Sequence, residues 1–504
     1  MTVRFLAMLV LAVMVAAPTP GLASSGALDC DFNGDGFADL AIGEPFKDVG
    51  ADGDEGAVGV VYGTGGNLST SPTDFWTQSS AGIKGVAEVG DGFGWVVECG
   101  DFDGDGFADL AIGIPNDEPE VTGSVAILYG SAGGLTDDDQ LWTLNSVGVQ
   151  GTASSGDGFG WALAVGDFDD DGFDDLAIGV PFDSVSSMAA AGAVNVLPGS
   201  PGGLTATGDL RLHQDLAGIQ GTPVVDDQFG RSLASGDFNN DGFDDLAVGA
   251  LRNSSGHGEV SVVLGGAAGL GTTDQLWTQD VTGVPGTAEA NDLFGANLAA
   301  GDVNGDNRDD LAIAVPGEDS NEGAVLLMRG AVAGLTTTGA QVWHQDTTGV
   351  QGVGAAGDRL GAGLELGDVD EDGFADLVMG APGDSAVTTS AGSVNLIPGS
   401  PSGLTATGDE FWNQDSTGVQ GIAESDDLFG LSLRLLDLNG DGKLDLAIGA
   451  PGENVGSVGA AGQVNLLLGA TSGLTASGDL VITEDRVNGE VEADAEFGRV
   501  APNG

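Results

Sequence analysis

Phe497-Gly498-Arg499-Val500-Ala501-Pro502-Asn503-Gly504 ends the chain and reads as the opening strand of a repeat that lacks its loop. Complete repeats open the same way: Phe159-Gly160-Trp161-Ala162-Leu163-Ala164-Val165 runs straight into an acidic loop at Asp167. The first acidic loop, at Asp31, has no Phe-Gly segment ahead of it. The terminal segment is therefore expected to supply the strand that the first repeat lacks, which requires the two ends of the chain to meet. A ring brings them together. An open solenoid has no reason to be cut this way, and its period would be nearer 20–30 residues, roughly that of a leucine-rich repeat.

Outward from that end, the acidic loop recurs seven times, beginning at Asp31, Asp101, Asp167, Asp237, Asp302, Asp368 and Asp437, in steps of 70, 66, 70, 65, 66 and 69 residues. So regular a period means a repeat architecture. Each repeat carries four short apolar stretches: the Phe-Gly run, Leu-Ala-Ile-Gly after the loop (Leu176 to Gly179), a Gly-x-Val-x-Val run (Gly258 to Val263) and a run around Trp (Leu276 to Gln279). They are short, rich in β-branched and aromatic residues and bounded by Gly, Pro, Asn or Asp, which is the pattern of strands. Four strands in seven repeats predict an all-β chain: a seven-bladed β-propeller of four-stranded antiparallel blades, closed by the C-terminal strand. The propeller is expected over 24–504, with the closing strand at about 494–504.

Every loop places Asp or Asn at positions 1, 3 and 5 and Asp at position 9. The ligand sets are Asp31, Asn33, Asp35 and Asp39; Asp101, Asp103, Asp105 and Asp109; and Asp167, Asp169, Asp171 and Asp175. They continue with Asp237, Asn239, Asp241 and Asp245, then Asp302, Asn304, Asp306 and Asp310. The last two are Asp368, Asp370, Asp372 and Asp376, and Asp437, Asn439, Asp441 and Asp445. Calcium takes six to eight oxygens at about 2.3–2.6 Å, and alternate residues of a tight turn converge on one point. Gly at position 6 permits the turn. Asn307 holds that position in the fifth loop, and Asn tolerates positive φ nearly as well, so the fifth site is expected to survive in weaker form. Good turn formers alone would explain one such loop. Seven loops with three or four carboxylates each are repulsive without a cation. Up to seven structural Ca2+ ions are expected.

The formal charge is −64, from 77 acids and 13 bases. The loops use 24 of those acids, leaving 53 that still outnumber the bases. Such a surface repels nucleic acid and anionic membranes. Hydrophobic residues make up 41%, which excludes a disordered acidic tail. Residues 1–23 read as a signal peptide: Arg4, the apolar run Phe5 to Ala17, then Gly21-Leu22-Ala23. That run is too short to span a membrane, and no later segment approaches a span. The expected location is secreted, extracellular or cell-surface, with the periplasm compatible. Cys30 and Cys99 stand just ahead of consecutive loops and could pair in an oxidising compartment; spacing alone leaves the pairing open.

Phe-Gly, then Asp-x-Asp-Gly-Asp-Gly, then Gly-Ala-Pro (Gly380-Ala381-Pro382, Gly449-Ala450-Pro451) resembles the FG-GAP repeat of integrin α-chain propellers and of many bacterial secreted proteins. The resemblance covers nearly everything after the signal segment. It implies a seven-bladed propeller with calcium in the loop between strands 1 and 2 of a blade. Partners are implied on the face formed by loops 2–3 and 4–1. Departures are Leu360-Gly361 for Phe-Gly, and Ala314-Val315-Pro316 and Gly249-Ala250-Leu251 for Gly-Ala-Pro. Acidic loops stand in all seven repeats, whereas integrin α-chains carry them in only some.

Loops 2–3 and 4–1 are also the longer and more variable ones, as at Glu44 to Gly56, Ile114 to Gly123 and Val180 to Gly192, and recognition tends to sit on such loops. Arg231, Arg252 and His257 share the fourth repeat's end of that face, as a grip for an acidic sugar or carboxylate or as scattered bases paired with nearby acids. The Trp residues at 76, 142, 277, 343 and 412 recur at one strand position and are expected to pack between blades. With three His and two Tyr, and no nucleophilic triad or metal-His cluster, no catalytic residue is assigned. The expected function is a calcium-binding adhesion module for a protein or glycan. The alternative is a polysaccharide hydrolase or lyase using two uncommitted acids near the axis.

Overall fold

The computed structural model describes residues 30–499, apart from 50–52, 67, 69–72, 118–121, 253–255 and 494. The expected signal segment lies outside the described residues, as do residues 500–504 of the expected closing strand.

The first sheet comprises β1 (Leu40–Glu44), β2 (Ala57–Val61) and β3 (Thr73–Trp76). The second shows the full plan: β4 (Val96–Gly100), β5 (Asp109–Ile114), β6 (Ser124–Leu128) and β7 (Asp139–Trp142), paired antiparallel in that order. Its register sets Gly100 opposite Asp109, Ile114 opposite Ser124 and Val125 opposite Trp142. Five more four-stranded sheets follow, opening at Leu163–Gly166, Ser232–Gly236, Leu298–Gly301, Gly363–Gly367 and Leu433–Leu436. β5 and β6 are buried along their whole length. Blades stack on both faces of each middle strand, so Asp-Leu-Ala-Ile-Gly-Ile reads as a continuous apolar run without alternation, as strands covered on both sides do. β7 is only half-buried, and Trp142 packs partly exposed at its outer end. The other strand-4 Trp residues also pack against the cores, as expected. The only helices among the described residues are two turns, Glu318–Asn321 and Glu484–Val487.

Adjacent blades are latched by the Phe-Gly step. Phe159 is fully buried and its N–H donates to Thr122 O at 3.0 Å. Gly123 has φ +85°, and a Cβ there would lie 2.3 Å from Phe159 O, so only glycine admits the neighbouring backbone. The same latch appears where blade seven meets blade one. Phe497 is fully buried, its N–H donates to Ala461 O at 3.1 Å, and a Cβ on Gly462 would lie 2.3 Å from Phe497 O. Ser432 Oγ donates to Gly498 O at 2.6 Å, as Ser232 Oγ does to Gly295 O at 2.5 Å. Phe497 shares one apolar cluster with Leu40 and Ile42 of blade one and Val464 and Leu466 of blade seven. The seven blades form a ring, and the described end of the chain lies in its seam. Cys30 and Cys99 form a disulfide, Cα atoms 5.5 Å apart, tying blade one to blade two.

Candidate metal centres and the opposite face

In blades two to seven the acidic loop is the hairpin between the first and second strands; in blade one it leads into β1. In the second, Asp101 Oδ1 accepts the N–H groups of Gly104 (2.8 Å) and Asp105 (3.1 Å), and Oδ2 accepts that of Gly106 (3.0 Å). Asp103 Oδ1 accepts the Asp105 N–H, and Asp105 Oδ1 accepts that of Phe107. These bonds curl the turn so that positions 1, 3 and 5 face inward. Position 6 sits at φ near +88° in Gly106, and Asn307 adopts +59° in the fifth loop, as its residue type allows.

The position-9 carboxylate is anchored identically in all seven hairpins. It accepts a backbone N–H where the third strand ends: Gly63, Gly130, Gly199, Gly265, Gly330, Gly399 and Gly469, at 2.8 to 2.9 Å. Burial raises these carboxyls, to about 8 in Asp39 and Asp109 and about 7 in Asp175, Asp245, Asp376 and Asp445; neighbouring loop carboxylates add to the rise. In the loops with Asp at position 3, three carboxylate groups converge with ligand oxygens within 4.8 Å of one another: Asp101, Asp103 and Asp109; Asp167, Asp169 and Asp171; Asp368, Asp370 and Asp376. Asp169 Oδ1 and Asp370 Oδ1 are buried without a hydrogen-bond partner. Crowded, desolvated, partnerless carboxylate oxygens are a donor set that fits a hard divalent cation.

The fifth hairpin differs. Arg329 Nη1 reaches Asp310 Oδ2 at 3.0 Å, with Asn304 Nδ2 on the same oxygen at 3.0 Å. Both lower the Asp310 carboxyl, leaving it at about 6 against the rise from burial. A guanidinium thus neutralises part of this set. The sequence reading put the weakness at Asn307; the structure adds Arg329, which occupies a position held by Tyr, Pro or Leu in the other blades.

Sequence reasoning missed a belt joining the hairpins. The N–H at position 8 donates to the position-1 carbonyl of the preceding loop: Ala108 to Asp31, Asp174 to Asp101, Asp244 to Asp167, Asp309 to Asp237, Ala375 to Asp302 and, across the seam, Ala38 to Asp437. Where position 8 is Asp, its side chain joins in: Asp174 Oδ2 accepts the Asp101 N–H at 2.8 Å and Asp309 Oδ2 that of Asp237 at 3.0 Å. The Asp-Asp pairs at positions 8 and 9 were the available signal.

On the opposite face, loops 2–3 and 4–1 surround the axis. The three bases expected there do not converge on one site. Arg231 lies over the Trp161 ring at 4.6 Å, His257 Nδ1 is 3.8 Å from Asp280, and Arg252 is exposed. Deeper in the axis, Glu98 is held by Arg434 at 3.2 Å, and burial raises Glu365 to about 7.

The fold and hairpins define an integrin-α-like β-propeller. The model of the FG-GAP repeat matches residues 22–61, 93–128, 159–197, 229–263, 294–328, 360–394 and 429–467, about half the chain, and the chain belongs to that family. It is 31% identical to integrin alpha-5 of Xenopus laevis over 232 residues, 45% of this chain and 20% of the relative. It is 32% identical to integrin alpha pat-2 of Caenorhabditis briggsae over 294 residues, 56% of this chain and 22% of the relative. Phosphatidylinositol-glycan-specific phospholipase D of Rattus norvegicus is 33% identical over 165 residues, 31% of this chain and 18% of that one. The chain thus matches about a fifth of the length of these relatives. A rhamnogalacturonan lyase of Bacillus licheniformis superposes with a TM-score of 0.31 at 12% identity, covering 85% of this chain and 66% of that one. Among the described residues, no helix is long and apolar enough to cross a membrane.

Proposed function

We propose that this chain is a secreted or cell-surface propeller whose hairpins bind structural calcium and whose opposite face binds a protein or glycan. The carrying observation is the uniform anchoring of seven position-9 carboxylates, with buried, partnerless oxygens at Asp169 and Asp370. Ions held in every blade stabilise the ring rather than mark one reaction centre. Six hairpins carry the full proposed set, and Arg329 weakens the fifth. The family relation to integrin α-chains supports adhesion or binding as the role.

A hydrolase would need two uncommitted carboxyls near the axis. The described inner strands carry Glu98 and Glu365, and Glu98 is engaged by Arg434, which favours the binding reading. Two measurements test the proposal: calcium titration by calorimetry, and binding of calcium-loaded and chelated protein to arrayed glycans and matrix proteins. Five or more calcium equivalents and calcium-dependent retention on an arrayed partner are expected. Fewer than three equivalents, or polysaccharide turnover abolished by Glu365→Gln, would overturn it.

A further inference from the structure

Two repeat positions meet at the mouth of the axis on the face opposite the hairpins, and both break the sevenfold pattern on the same side. The residue after each Phe-Gly or Leu-Gly step is Arg499, Trp95, Trp161 and Arg231 around blades one to four, but Ala296, Ala362 and Leu431 around blades five to seven. The residue ending each Gly-Ala-Pro-like turn is Phe46, Asn116, Phe182 and Arg252 on the first arc, and Gly317, Gly383 and Gly452 on the second. One arc is bulky and aromatic; the other is nearly bare.

The bulky arc is assembled. Phe46 meets Trp95 edge-on at 6.3 Å between centroids, Trp95 meets Trp161 at 4.7 Å, and Trp161 meets Phe182 edge-on at 4.9 Å. Arg499 lies over Phe46, the first ring, at 5.2 Å, and Arg231 lies over Trp161, the third, at 4.6 Å. All six side chains are partly exposed. Arg499 pairs with Glu496. Arg231 has no ion pair among the described residues, although the chain carries 77 acids, and burial lowers its pKa to about 10. Stacking fixes the plane of a guanidinium and leaves its N–H edge able to engage a carboxylate in two parallel hydrogen bonds. The adjoining aromatic surface suits the apolar C–H face of a sugar ring.

The geometry points to this arc as the seat of one carboxylate-bearing sugar at the end of an otherwise neutral glycan, held by Arg231 and packed on Trp161 and Trp95. The −64 charge repels a polyanion at long range, whereas a lone carboxylate feels chiefly the local guanidinium. This assignment rests on reading the face as the recognition surface and names its ligand.

The test uses the full calcium-loaded chain and titration calorimetry with sialyllactose against lactose, glucuronosyl-xylotriose against xylotriose, oligogalacturonate and an acidic peptide. At least one acidic sugar is expected to bind about tenfold or more tightly than its neutral counterpart. Arg231→Gln should remove that margin, as loss of charged hydrogen bonds implies. Trp161→Leu should weaken both members of the pair. Leu431→Ala, on the bare arc, should leave binding intact. Melting temperature and calcium equivalents of all variants should match wild type. No acidic preference, a preference that survives Arg231→Gln, or equal or tighter binding of oligogalacturonate or acidic peptide overturns the assignment. Retention on an arrayed partner that survives Arg231→Gln would sink this assignment alone; no binding in any arm would sink the recognition reading with it.

Discussion

The two faces of the ring obey opposite rules. On one, seven hairpins repeat the same bonds, down to the glycine N–H that anchors each position-9 carboxylate. On the other, equivalent positions hold Trp and Arg in one arc and Ala, Leu and Gly in the other. Sameness around a ring is what holding neighbours together demands, because every interface poses the same packing problem. Difference is free to arise only where that problem does not apply. The repeated face is thereby marked as scaffold, and the broken one is the face proposed for recognition.

The largest effect expected follows from the repeated face. Chelation should lower the melting temperature by more than about 10 °C. Each ion held only by the native state at a hundred times its dissociation constant contributes about 2.7 kcal/mol. A calorimetric scan with and without chelator reads this out, and a shift of a degree or less would mean that the hairpins hold no structural ions.

Next in size is the latch. Phe497→Ala should cost about 3–5 kcal/mol, as should Phe229→Ala within the ring. Equal losses in denaturant unfolding make the seam an ordinary interface; a much smaller loss at Phe497 would make it a loose one. The seam also replaces a repeated pair. Elsewhere Gln78 donates to Asp117 and Gln279 to Glu318, but here Lys47 bonds the buried Glu484 at 2.6 Å and the partly exposed Glu492 at 2.5 Å. Removing one partner of a buried pair strands the other, so Lys47→Met should cost roughly 3 kcal/mol.

A smaller difference separates hairpins two and five. Asp109→Asn should remove one tight calcium equivalent, whereas Asp310→Asn should change the tight count little, because Arg329 already occupies its carboxylate. Arg329→Leu should add a tight equivalent in the same titration.

The smallest effect concerns pH. Burial raises the Asp227 carboxyl to about 7, and the unfolded chain releases that proton near pH 4. The native state therefore holds the proton over a range where the unfolded state does not, and stability falls as pH rises from about 4 through 7. With calcium saturating, Asp227→Asn should flatten the melting temperature between pH 5 and pH 8 by about 1–2 °C.

The repeat, the strands and the ring were legible in the sequence because each rests on a residue type with one physical meaning: Gly where φ is positive, β-branched runs where both sheet faces are covered, Phe where an interface must be filled. What escaped was relational. Gly123 looks like any turn glycine until Phe159 of the next blade rests on it, and Arg329 looks like a surface base until it meets Asp310, nineteen positions earlier. The aromatic arc was hidden for the same reason, since Phe46, Trp95, Trp161 and Phe182 are neighbours only once the blades stand side by side. The disulfide stayed undecided until the 5.5 Å separation was known.

The Phe497 latch also sets a rule of timing for biosynthesis. A nascent polypeptide can build its early sheets while still tethered, yet the circle has no fastener until the Phe497 segment has been made. Products that stop short of Phe497 would be left as open horseshoes with two raw flanks, ready prey for quality-control proteases, so the fold carries its own test that the seventh blade has been passed.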